Sequence, residues 1–221
     1  MVNIKILVIA AHPDDESLGC GGVIARHTQA GDSVHVLILS RGGLAREGTD
    51  LNLIKEIADN VEQSMELLGA TYNVLNFPDQ SFDSVPLLEV IKAIEAEIKK
   101  VQPSQVYCHS SADLNEDHKI THKATLTACR PGVSPVKELY CYEVLSTTEL
   151  GPVAFDPKLF VDITSVLALK VEANMLYCNE MRSYPHPRSK EGVEYLARIR
   201  GMQSGLEAAE AFEIIREIKG K

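Results

Sequence analysis

The chain has 221 residues, 45% hydrophobic and 24% charged, with 31 acidic side chains against 22 basic ones and a formal charge of -9. This is the composition of a water-soluble globular protein long enough to bury a sizeable core, and its acid excess repels phosphate backbones, which argues against nucleic acid as a general partner. Cys20, Cys108, Cys129, Cys141 and Cys178 are odd in number and contain no C-x-x-C pair, which argues against a disulfide framework or a thiolate zinc site and for a reducing compartment.

Ile4 to Ala10 is a near-continuous aliphatic run, expected of a strand covered on both faces. It is too short to span a membrane, and it meets His12-Pro13-Asp14-Asp15-Glu16 where a signal peptide would need a small-residue cleavage site. The chain therefore reads as cytoplasmic, with no membrane partner. Leu18 to Ala30 reads as a helix closed by Gly31, and Ser33 to Ser40 as a second strand rich in β-branched residues. Leu53, Ile57, Val61, Met65 and Leu68 form a helical stripe that Gly69 ends. Tyr72 to Phe77 is a third strand. Ser84 offers a cap, Pro86 a first turn, and Leu87, Ile91, Ile94 and Ile98 the next helical face.

Gln105 to His109 is a fourth strand, and His118 to Cys129 a helix ended by Pro131. This alternation predicts an α/β fold, a doubly wound and mainly parallel Rossmann-like sheet with helices on both faces. Beyond it lie strand-like runs at Leu139 to Leu145 and Phe160 to Ile163. Helices are expected near Ser165 to Met181, Lys190 to Gln203 and Glu207 to Ile218, a helical C-terminal extension. With no repeat, no low-complexity segment and no linker, the reading is one domain over residues 1–221.

In an open parallel sheet, ligands bind at the carboxyl ends of the strands. The first strand runs straight into His12, Asp14 and Asp15, and imidazole and carboxylate are both good zinc ligands. Pro13 stiffens the chain between them. The bland alternative is that Asp14 or Asp15 caps the following helix. A second polar cluster follows the fourth strand, from His109 through Asp113, Asn115, Glu116 and Asp117 to His118, with His122 a turn later. The fold itself should bring the two clusters together.

These motifs carry a resemblance. AHPDDE after the first strand, with Asp117-His118 heading a later helix, resembles the LmbE-like, or PIG-L-type, N-deacetylases. Asp113 to His118, Ala128-Cys129-Arg130-Pro131 and Tyr184-Pro185-His186-Pro187-Arg188-Ser189 extend it over essentially the whole chain. The resemblance implies one zinc ion per chain, bound by His12, Asp15 and His118, with a water in the fourth position. It implies Asp14 as general base and Asp117 as the group that orients a ligand or catalytic imidazole. It also implies a small N-acetylated amino sugar, of the N-acetylglucosamine type, as substrate, and is compatible with a homo-oligomer.

The chain departs from many members in one place. Asn115 stands where they carry a histidine that is the usual candidate for stabilising the oxyanion, and an amide can donate a hydrogen bond there but cannot carry charge. With His12 and His118 assigned, and His27 and His35 inside a helix and a strand, His109, His122 and His186 remain. His186 lies between two prolines in a stretch that cannot be helical, and is expected to serve as oxyanion stabiliser or proton donor. The alternative is a surface turn. Arg188 in the same stretch could hold a sugar hydroxyl or an anionic substituent, and Arg41, in the Arg41-to-Arg46 loop after the second strand, a carboxylate or phosphate. Gly19, Gly21 and Gly22 do not make G-x-G-x-x-G and read as close helix-to-sheet packing. The rival functions are an amidase for another N-acyl or thiol conjugate and a non-catalytic nucleotide-binding module.

Overall fold

The structure, a computed structural model, describes residues 3–43 and 51–220. Five parallel strands form one contiguous side of its sheet: β1 (Lys5–Ala10), β2 (Ser33–Ser40), β3 (Thr71–Phe77), β4 (Gln105–His109) and β5 (Glu138–Tyr142). Two more, β6 (Leu159–Asp162) and β7 (Ala209–Glu217), complete the order β3-β2-β1-β4-β5-β7-β6. Among the described strands β7 alone runs opposite to the rest, pairing antiparallel with both β5 and β6.

Successive residues of β1 point to opposite faces, as the pleat requires. Ile6, Val8 and Ala10 enter one apolar layer and Leu7, Ile9 and Ala11 the other. The first layer is closed by α1 (Asp15–Gln29), α2 (Leu51–Leu68), α5 (Leu167–Met175) and α6 (Lys190–Ser204). The second is closed by α3 (Leu87–Val101) and α4 (Glu116–Ala128). The doubly wound, mainly parallel architecture is as the sequence predicts. The glycines of α1 serve close packing: a Cβ on Gly19 would sit 2.2 Å from the Tyr142 ring, and one on Gly22 would sit 2.7 Å from Ile163.

The final helix expected over Glu207 to Ile218 is instead β7. Its Ala-Glu-rich spacing suits a helix, but the start of the segment is buried on both sides. Ala209, Glu210, Ala211 and Phe212 are all buried, and Glu210 accepts hydrogen bonds from Gly22 N–H (2.8 Å), Val23 N–H (2.7 Å) and Lys170 Nζ (2.5 Å). A strand between β5 and β6 satisfies the backbone there, and tertiary pairing overrides the local helical preference. The helix expected near Ser165 to Met181 is shorter, confined to Leu167–Met175. Among the described residues no helix is long and apolar enough to cross a membrane.

Candidate metal centre and active site

The strand order reverses between β1 and β4, and the crevice beyond their carboxyl ends is where such sheets bind ligands. His12 follows β1 there, and His118 enters from the first turn of α4. Asp15 lies between them: its Oδ2 accepts a hydrogen bond from His12 N–H (2.8 Å) and lies 3.4 Å from His12 Nδ1 and 3.3 Å from His118 Nε2. One donor atom from each of the three residues lies within 4.8 Å of the others, and all three residues are buried.

Each histidine turns its other ring nitrogen to an outer carboxylate. His12 Nε2 is 2.9 Å from Asp117 Oδ2, and His118 Nδ1 is 3.1 Å from Asp113 Oδ2. Both carboxylates are themselves anchored. Asp117 Oδ1 accepts from Phe82 N–H (2.9 Å), while Asp113 Oδ2 accepts from the hydroxyls of Thr148 (2.6 Å) and Thr147 (3.0 Å). A carboxylate behind each imidazole fixes its ring and raises its basicity, the usual arrangement around a metal-ligating histidine.

The donor set fits a dication. Asp15 Oδ1 is buried without a hydrogen-bond partner, an expensive state for a carboxylate oxygen unless a ligand meets it. Burial alone would suppress the charged imidazolium of His12, yet Asp117 and Asp15 outweigh it and lift its pKa to about 10. His118 is likewise raised to about 8 against burial, by Asp15 and Asp113. The crevice concentrates negative charge and calls for positive charge at its centre.

Asp14 occupies the N-cap position of α1 but makes no side-chain cap hydrogen bond, and its φ is +97°. Its side chain turns to the crevice, where Oδ2 accepts from Arg188 (2.7 Å). Burial pushes the Asp14 pKa well above the usual carboxylate range, with Arg188 opposing. The backbone turn is held by Glu16, which accepts from Asp14 N–H (3.2 Å) and from the Tyr177 hydroxyl (2.5 Å). Neither Asp14 nor Asp15 caps α1 with its side chain, whereas α4 does have a side-chain cap. Asn115 Oδ1 accepts from Asp117 N–H (2.8 Å) and His118 N–H (3.4 Å), so the departure at Asn115 places the helix that carries His118.

Residues 7–129 match the PIG-L family, described as GlcNAc-PI de-N-acetylase. The chain belongs to the PIG-L (LmbE-like) family. It is 32% identical to "Uncharacterized deacetylase YaiS" of Escherichia coli (strain K12), over 72% of this chain and 81% of that one. It is 27% identical to the 4-oxalmesaconate hydratase of Pseudomonas putida, over 76% of this chain and 70% of that one. Among solved structures, the conserved protein TT1542 from Thermus thermophilus superposes with a TM-score of 0.80 at 26% identity, covering 99% of this chain and 97% of that one.

In this PIG-L chain the crevice is lined by His12, Asp14, Asp15, Asn115, His118 and Arg188 among others, which brings six residues expected from the sequence together. Asp117 lies just behind, on His12. Two of the expected residues are not among those that line it. His186 is exposed and does not line the crevice; its Nδ1 accepts from Arg188 N–H (3.1 Å), within a turn closed by Ser189 N–H to the His186 carbonyl (3.0 Å). That turn aims Arg188 inward and leaves the imidazole outside. Arg41 is exposed beside an apolar depression formed with Pro13, Leu51, Ile54 and Tyr72, while its neighbours Gly42 and Gly43 line the crevice. Arg46 lies outside the described residues.

His109 is buried beneath the site: its ring stacks on His118 at 4.0 Å, and its Nε2 accepts from Ala11 N–H (2.9 Å). Burial and the neighbouring His118 hold its pKa well below the usual histidine value. Sequence reasoning missed Asp79 and Gln80, which follow β3 and line the crevice. Asp79 Oδ1 is 3.5 Å from His12 Nε2; Gln80 Nε2 is 3.3 Å from the same atom, and Gln80 Oε1 accepts from Asn115 Nδ2 (3.0 Å). Their signal was a Pro78-Asp79-Gln80 turn at the carboxyl edge, the same placement that marks His12.

Proposed function

We propose that this chain is a zinc-dependent N-deacetylase that releases acetate from an N-acetylglucosamine-type amino sugar or a neutral conjugate of one. The observation that carries the reading is the convergence of His12, Asp15 and His118, each imidazole backed by a carboxylate, with Asp14 beside them. Bound by those three residues, zinc supplies Lewis acidity, lowering the pKa of a water and polarising the acyl carbonyl.

Asp14 takes the proton from the attacking water and passes it on to the departing amine. Arg188 fixes its carboxylate for that task, bonded in turn to the Ser146 hydroxyl (2.8 Å) and the Leu145 carbonyl (3.2 Å). Asp117 and Asp113 hold the ligand imidazoles in orientation. With the His12 Nε2 proton directed to Asp117, the Gln80 side-chain N–H is left to a ligand oxygen, a better placed oxyanion donor than the exposed His186.

The lining favours a neutral substrate. Among the described residues it contains four carboxylates, Asp14, Asp15, Asp79 and Glu180, against the single guanidinium of Arg188, with Asn60, Gln80, Asn115 and Asn179 as amides. Sugar hydroxyls suit those groups. With the dication counted the described lining still sums to about -1, and Arg188, already paired with Asp14, leaves no free cation in it for a nucleotide pyrophosphate.

The hydratase among the relatives supports a second reading, because an activated water beside a general base also suits addition to an unsaturated acid. The acidic lining disfavours such a polyanionic substrate. The deciding experiment is an acetate-release screen over N-acetylated sugars, using zinc-loaded and chelated protein in parallel. Metal-dependent acetate release is expected. Hydration of an unsaturated dicarboxylate, seen as loss of its ultraviolet absorbance with no acetate released from any sugar, would overturn the proposal.

A further inference from the structure

Helix α4 carries a second histidine one turn beyond His118. His122 enters the layer between α4 and the sheet, where Cys108 of β4 and Cys141 of β5 stand side by side in register. Both cysteines are fully buried and unpaired, and His122 is partly exposed. The two sulfurs are 3.6 Å apart, and Cys141 Sγ is 3.5 Å from His122 Nδ1. All three donor atoms lie within 4.8 Å of one another.

Those separations are close to the edges of a metal tetrahedron. Bonds of about 2.3 Å to sulfur and about 2.0–2.1 Å to nitrogen put two sulfur ligands about 3.8 Å apart, and sulfur and nitrogen about 3.6 Å apart. The sulfur-to-sulfur and Cys141-to-His122 distances agree to within a few tenths of an ångström, and the Cys108-to-His122 edge is no longer than 4.8 Å. In the protonated form one acceptor serves the cluster: the His109 carbonyl accepts from His122 Nδ1 (2.9 Å) and from the Cys108 thiol (3.6 Å).

We propose that Cys108, Cys141 and His122 form a second metal site, for a thiophilic closed-shell dication of the zinc class, beneath the His12–Asp15–His118 centre. Charge balance selects the dication. The surroundings are apolar, with Val106, Leu139, Ala124 and Val136 in the same layer, so a lone thiolate is costly there, and burial raises the Cys108 thiol well above its usual range. Two thiolates, a neutral imidazole and a dication sum to zero. Binding releases both thiol protons to solvent and moves the imidazole proton from Nδ1 to Nε2, so no oxidant or other reactant is needed. The separation of 33 positions between the cysteines hides the pair from any search for C-x-x-C spacing.

The two metal centres are chemically distinguishable, because His12, Asp15 and His118 include no sulfur. Cadmium is the probe, titrated into reduced Cys178→Ser protein, which lacks the exposed thiol. Thiolate-to-cadmium charge-transfer absorption in the ultraviolet is expected to grow and saturate at one sulfur-bound ion per chain, and excess zinc should displace it. The band should vanish or fall at least twofold in both Cys108→Ser and Cys141→Ser, persist in Cys129→Ser, and need at least ~10-fold more cadmium in His122→Ala. The titration of protein with both cysteines intact does not depend on any core variant folding. Absence of the band at saturating cadmium would overturn the proposal, as would an undiminished band in Cys141→Ser. So would isolation of a Cys108–Cys141 disulfide from protein that gives no band after reduction.

Discussion

Asp14→Asn separates chemistry from metal binding most sharply. Asparagine keeps the side-chain shape, so its amide oxygen can still accept from Arg188, now at 2.7 Å from Asp14 Oδ2. What it loses is the ability to take a proton. A positioned general base contributes about 10²–10⁴-fold, equivalent to about 3–5 kcal/mol on the barrier at 1.36 kcal/mol per decade. The fold should lose far less. The variant no longer buries a carboxylate, which relieves a desolvation cost, and Arg188 retains Glu180 at 3.7 Å together with Ser146 and Leu145. The proposed metal donors His12, Asp15 and His118 are untouched. Acetate release should therefore fall by about two to four decades, with zinc content by atomic spectroscopy unchanged and the melting temperature within a few degrees. Parallel loss of zinc would make Asp14 a ligand and refute the assignment. Turnover within tenfold of the parent would leave the base elsewhere.

Asp113→Asn removes the anion behind His118 and should weaken zinc affinity about 10–100-fold in competition with a chelator, while unaltered affinity would mean that the 3.1 Å approach carries no energetic weight. Gly19→Ala drives a methyl to 2.2 Å from the Tyr142 ring; overpacking of this kind costs about 1–3 kcal/mol, measurable as a lower denaturation midpoint, and an unchanged midpoint would show the ring free to retreat. His186→Ala should keep parental turnover and zinc content, since the ring stands outside the crevice; a hundredfold loss would reinstate it as a participant.

The architecture was legible where periodicity and burial agree. Continuous aliphatic runs became β1 and β2, and the stripe from Leu53 to Leu68 became the buried face of α2. It was illegible where long-range pairing decides. The segment from Ala209 has the composition of a helix, and only β5, β6 and Lys170, which come from elsewhere in the chain, make it a strand. At the site, the residues that follow β1 and β4 could be anticipated because the topology delivers them to one edge. Asp79 and Gln80 came to His12 from a distant part of the chain, and no local pattern marked them beyond a turn. His186 misled because two flanking prolines imply rigidity but give no direction, and the turn they permit sends Arg188 inward instead.

The left-handed backbone at Asp14 also bears on how this protein could be engineered or could drift. A side chain held at φ +97° costs about 1–3 kcal/mol that glycine would not incur. Asp14→Gly relieves that strain and the burial of a carboxylate at the cost of the Arg188 contact. It is expected to melt no lower than its parent while losing at least the roughly two to four decades of turnover expected of Asp14→Asn. Selection for thermal resistance alone, with no demand for turnover, would drift toward that inert form, so the position trades robustness against chemistry. A library sorted first for heat tolerance and then assayed would expose the conflict directly as enrichment of glycine at position 14 among the inactive survivors.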